Sequence, residues 1–155
     1  MGWVTLSLRK QTLRAEISSN TFESLQLSRE KRQLQRHLNY EKSLFDHKKQ
    51  GELSAAKAPV NAKRDERPDD VNSDKYSTWK EQYNQIQDAY NSKKQDIEDY
   101  YDEISAQLEE EANEREQAIQ EQMDELEVQR QDMQAEFDAI KDQIKTEIQN
   151  SAISF

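Results

Sequence analysis

The chain has no cysteine. That removes disulfides, a thiolate nucleophile and any cysteine zinc site from consideration at once. Strong punctuation is almost as scarce, because Gly2, Gly51, Pro59 and Pro68 are the only glycines and prolines in 155 residues. Without more turn residues, a sheet with its many reversals is excluded in favour of long helices. No uncharged apolar run approaches the roughly 18 to 20 residues that span a bilayer, and Trp3 to Leu8 is too short for a signal-peptide core. The sequence therefore reads as soluble and unprocessed. Met1-Gly2 opens like a myristoylation signal, but Leu6 stands where that pattern wants Ser or Thr.

What is present is charge. Hydrophobic residues make up 33% and charged residues 35%, too polar a mixture for a compact globule of this length, so a rod is the expected use of the few apolar side chains. Residues 1–67 carry 14 Lys and Arg against 8 Asp and Glu, whereas residues 68–155 carry 8 against 24; +6 and −16 sum to the net −10. Such asymmetry can mark a nucleic-acid arm or an acidic tail, and it also fits two halves that attract each other.

A heptad runs along the first half. Leu6, Leu13, Asn20, Leu27 and Leu34 recur every seven residues, with Ile17, Leu38 and Phe45 in a second row that Lys10, Ser24 and Lys31 weaken. Asn20 reads either as a buried device that sets register or as a solvent-facing residue on an imperfect helix. Gly51 to Asp74, "GELSAAKAPVNAKRDERPDDVNSD", reads as a connector, so the first helix is expected to end near Gly51. "TWKE" from Thr78 has the spacing of a capping box, which sets the next start there or several residues earlier.

Two heptad blocks follow. Tyr83, Tyr90, Ile97 and Ile104 form one, with Trp79, Ile86 and Tyr100 beside them; Ile119, Met123, Leu126, Met133, Phe137, Ile140 and Ile144 form the other, with Arg130 intruding and Ile148 one residue late. Between them "LEEEANEREQAI" spans Leu108 to Ile119, a heptad plus four. Such a stutter relaxes the supercoil, and it leaves Ala112 and Arg115 at the inward positions.

These features predict an all-α protein of two long helices joined by a polar linker, an antiparallel coiled-coil hairpin with an overhanging C-terminal helix. The expected organisation is a basic amphipathic helix over 1–50, a charged linker over 51–75, an acidic coiled-coil helix over 76–150 and an apolar tail over 151–155. A hinge between Gln50 and Tyr76 makes facing positions sum to about 126. Glu109 to Glu116 would then meet Arg9, Lys10 and Arg14, and the stripe from Leu126 onward would lack intramolecular cover. The linker is long enough for a parallel pairing, but charge and shorter closure favour the hairpin.

Other chemistry has weak support. His37 and His47 stand ten residues apart, about 15 Å along a helix, too far to share a metal. Paired carboxylates need a concave, partly dry site to separate their pKa values. Asp65, Glu66, Asp69, Asp70 and Asp74 lack the spacing and glycine of a calcium loop. Arg29, Lys31, Arg32 and Arg36 could meet phosphates, yet the net charge and the chain's own acidic half compete against nucleic acid. The tyrosines at heptad spacing read as seam residues.

The expected function is accordingly non-enzymatic, with no cofactor or metal: a helical structural or adaptor subunit that spaces or staples other proteins. Its expected partner surfaces are an N-terminal edge, Trp3, Val4, Leu6 and Leu8, and a C-terminal stripe, Leu126, Met133, Phe137, Ile140, Ile144, Ile148, Ile153 and Phe155, through which the chain could also self-associate. A phage or viral virion is the first expected setting, with a soluble cytoplasmic place otherwise. Two long helices, a polar connector and high charge are similar in organisation to the small stalk proteins of type III export ATPases, without a shared motif. A chaperone that holds a client helix is the further alternative.

Overall fold

The computed structural model describes residues 2–153, with side chains through Ala152. Helix α1 spans Trp3–Asp65 and helix α2 spans Asp74–Ile153. Among the described residues there is no strand, and the helices pair as an all-α antiparallel hairpin.

Helix α1 does not end near Gly51. It continues through Gly51 and Pro59 to Asp65, so the connector shrinks from the expected 51–75 to the eight residues 66–73. The reason lies in the inward face: Leu53, Ala56 and Val60 follow one another at spacings of three and four, and Ala56 and Val60 are buried. Pro59 and Gly51 point outward. An interior proline costs about 3 kcal/mol through the lost hydrogen bond and the clash with the preceding turn. On the exposed side water can satisfy the freed carbonyl, and packing of the opposite face offsets the rest.

The connector is built from short-range bonds. Glu66 and Arg67 donate their amides to the carbonyls of Lys63 and Arg64 at 3.2 Å, winding α1 down. Asp70 accepts from the Asn72 amide at 3.0 Å, and the Ser73 hydroxyl accepts from the Tyr76 amide at 3.2 Å. Ser73 is therefore the N-cap. Thr78 lies a turn inside α2, its hydroxyl donating to the Asp74 carbonyl at 3.1 Å, so "TWKE" is helix interior and the earlier of the two expected starts holds.

By contact, the chain divides into two compact units: one joins α1 through Gln35 to α2 from Asn113, and the other runs from Arg36 to Ala112. In the first unit the heptad reading holds residue by residue. Leu6, Lys10, Leu13, Ile17, Asn20, Ser24, Leu27, Lys31 and Leu34 all face inward, as do Ile119, Met123, Leu126, Arg130, Met133, Phe137, Ile140 and Ile144. Leu6, Leu13 and Ile140 form the core, with Met133, Phe137 and Ile144 packed against it. Leu13 is 0% exposed, a burial worth about 1.5–3 kcal/mol.

The register differs from expectation. Facing residue numbers total 145 for Arg9 and Glu136, 146 for Asn20 and Leu126, and 147 for Lys31 and Glu116, not 126. The displacement follows from the later hinge. It brings the N-terminal half of α1 over the C-terminal stripe, so Leu126, Met133, Phe137, Ile140 and Ile144 are covered within the chain. An overhang persists, but it is short: Trp3 falls opposite about Ile144, and α2 continues to Ile153.

The second unit closes on Leu38, Ala56, Val60, Tyr101 and Ala112. Here the inward residue is Tyr101, at 6.4 Å from Phe45 between ring centroids, while Tyr100 is exposed. Residues 91–96 are all exposed, so no apolar anchor carries the row across, and it resumes with a four-residue step from Ile97 to Tyr101. The interrupted stretch behaves similarly: Leu108, Ala112 and Glu116 step inward by fours, and Arg115 is exposed.

Candidate interaction surfaces

Charge reinforces the pairing, through partners other than those expected. In the first unit Arg9 forms a two-pronged pair with Glu136 at 3.0 and 3.1 Å and a longer contact to Glu16 at 3.8 Å. Lys10 and Arg14 lie 5.6 and 5.8 Å from the Phe137 ring centre. Lys31 takes Glu116 at 3.7 Å and donates to Gln120 at 2.9 Å. In the second unit Lys42 pairs with Glu109. Hydrogen bonding to Arg9 holds the Glu136 carboxyl below its ordinary pKa, against a smaller opposing effect of burial, and Glu136 in turn raises Arg9. These pairs are exposed, so they guide alignment more than they stabilise.

Asn20 is the polar member of the first unit's core. It is 5% exposed, its amide nitrogen donates to the Leu126 carbonyl at 2.8 Å, and its side-chain oxygen is buried without a partner. The buried reading of this residue is therefore the one the fold adopts.

The second unit's connector end is held by aromatic residues. The Trp79 indole donates to the Lys63 carbonyl at 2.6 Å, a second bond to an oxygen that already accepts from the Glu66 amide. Trp79 stacks on Tyr83 at 5.1 Å and meets Tyr76 at 5.6 Å, with Arg67 over Tyr76. These rings line the seam, as heptad spacing predicts. Burial, then hydrogen bonding to Glu52, pushes the Tyr101 hydroxyl above its ordinary pKa.

Of the sequence-predicted partner residues, Leu6 and Ile140 are buried, and Leu126, Met133, Phe137 and Ile144 are half-buried against α1. Trp3, Val4, Leu8 and Ile148 remain about half exposed or more. The register gathers these four at the open end of the first unit, since Ile148 lies one turn beyond Ile144. The Ile153 side chain and Phe155 lie outside the described residues.

Sequence reasoning passed over a second set. Phe22, Leu25 and Val128 are strongly exposed on the outward faces of the first unit, and a search for inward stripes assigns such positions to solvent. A shallow depression around Val128 is lined by Ala118, Glu121, Asp124 and Glu125.

His37 lies 3.9 Å from Glu41, and no group of three or more potential metal ligands occurs among the described residues. No described helix is long and apolar enough to cross a membrane. Comparison with family models, with curated proteins and with solved structures finds no match to this chain.

Proposed function

We propose that the chain is a non-enzymatic helical subunit that spaces or staples other proteins in a larger assembly, with a phage or viral particle as its setting. One observation carries this reading: α2 outruns α1 at the open end, where Trp3, Val4, Leu8 and Ile148 stay exposed after the core has closed. Apolar side chains gathered at one end, when a polar chain has so few, are a recognition surface for protein. The virion setting is supported more generally, by a cysteine-free, highly charged, helical composition suited to a structural part.

Photo-crosslinking side chains placed at Trp3, at Ile148 and, as a control, at Lys75 beside the connector test it in the native source. The reading predicts one discrete protein adduct shared by positions 3 and 148 and absent from position 75. No adduct at the open end, or equal labelling at Lys75, would overturn it.

A further inference from the structure

The outward faces of the first unit carry a pattern of their own. On α1, positions opposite the seam step by fours and threes through Val4, Leu8, Gln11, Ala15, Ser18, Phe22, Leu25, Arg29 and Arg32, all exposed. These are the positions a two-stranded coiled coil turns to water, where charged side chains are expected. Instead, two large apolar residues stand beside two arginines. Arg29 and Arg32 take part in no ion pair among the described residues.

The outward face of α2 is its complement. Glu121, Asp124, Val128, Gln131, Ala135, Asp138 and Asp142 follow the same spacing, all exposed. Val128 sits in the depression whose rim includes Glu121, Asp124 and Glu125. Exposed Val128 and Ala118 among acidic side chains match apolar residues followed by cations.

The two faces fit at a definite alignment. Set antiparallel with Leu25 across from Val128, Arg29 falls across from Asp124 and Arg32 across from Glu121. One heptad the other way, Ser18 meets Ala135, and small residues there let the backbones approach. The Leu25–Val128 contact and both charge pairs fall in this one register, with Phe22 across from Gln131 beside Val128 and Ala135, and such agreement selects one pairing over its neighbours.

We propose that the outward face of α1, centred on Phe22, Leu25, Arg29 and Arg32, docks on the acidic face of α2 around Val128 in a second copy of this chain. A helix cannot offer its outward face to its own hairpin partner, so the contact is between molecules. Because the two surfaces differ, the contact is heterologous, and a pair of copies keeps one free face of each kind; association continues past the dimer into a ring or an open array. This inference rests on the structural-subunit reading and names a partner for it at a surface centred away from the open end.

Sedimentation velocity on the full chain over a range of concentration and salt tests it, with circular dichroism to verify folding. The wild type is expected to form species larger than dimers that recede as salt rises. Reversing one face, as R29E with R32E, or the other, as E121K with D124K, is expected to weaken association about tenfold or more while helicity is kept. Mixing the two reversed proteins is expected to restore it, since each altered face then meets its complement. That restoration separates a lost contact from a damaged fold. A monomer at every concentration, association indifferent to both reversals, or reversed proteins that fail to rescue each other would overturn the proposal. A chain that stays monomeric yet still gives the adduct at Trp3 and Ile148 refutes the array alone and leaves the structural reading standing.

Discussion

Replacing Asn20 by leucine isolates the one buried polar residue among the described residues. The amide loses its 2.8 Å bond to the Leu126 carbonyl, a loss of about 0.5–1.5 kcal/mol. That carbonyl keeps its place in the α2 ladder, so little desolvation cost is left behind. Against the loss stands the Asn20 side-chain oxygen, buried without a partner, whose removal returns about 1–3 kcal/mol. A buried leucine adds about 1.5–3 kcal/mol of apolar transfer, less whatever strain its larger branch imposes. The balance is a stabilisation of about 2 kcal/mol. In urea unfolding followed by helical circular dichroism, the midpoint should rise while the slope stays unchanged. Stability has a counterpart in specificity: without Asn20, a shift by one heptad places apolar residues against apolar residues, and alternative registers should become populated. A destabilised N20L would refute this account of the orphaned oxygen.

Other consequences follow from the same geometry. Gly51→Ala should stabilise by about 1 kcal/mol, because an added Cβ meets nothing within 4 Å and the position is helix interior; Pro59→Ala should add about 1–3 kcal/mol, and thermal melts of both variants check the pair. Leu13→Ala, at a fully buried site, should cost about 2–5 kcal/mol in urea unfolding. The pH dependence has a worked sign. Glu136 has a depressed folded pKa, so its contribution is present above the unfolded value near about pH 4 and fades as pH falls through the folded value; Glu136→Gln should flatten the acid limb of the stability profile. Tyr101 has a raised pKa, so its contribution is full below its unfolded value near about pH 10 and disappears as pH rises through the folded one. Tyr101→Phe should flatten the alkaline limb.

Periodicity made the seam of the first unit legible down to its polar intruders, because Lys10, Ser24, Lys31 and Arg130 sit in unbroken runs of threes and fours. The end of α1 is hard to read for a local reason: Gly51, Pro59 and dense charge look like a connector, while the signal that overrides them, Leu53, Ala56 and Val60 on one face, is only three side chains long. That single boundary moved the register by about 20 residues, and with it the expected cover of the C-terminal stripe. Tyr101 was missed because a row of exposed residues, 91–96, carries no apolar marker across the gap. The outward pair Phe22 and Leu25 was legible in principle, but its meaning depends on knowing which face of α1 the hairpin leaves free.

The central claim is the register, and distance measurement between spin labels tests it directly. The chain has no cysteine of its own, so labels at S19C and E127C, diluted with unlabelled protein, report one intramolecular distance. The account predicts a short separation for that pair, set by helix axes about 10 Å apart and the label arms, and a separation longer by about 30 Å along the axis for S19C with Q107C. A short distance for 19 with 107 and a long one for 19 with 127 would contradict it.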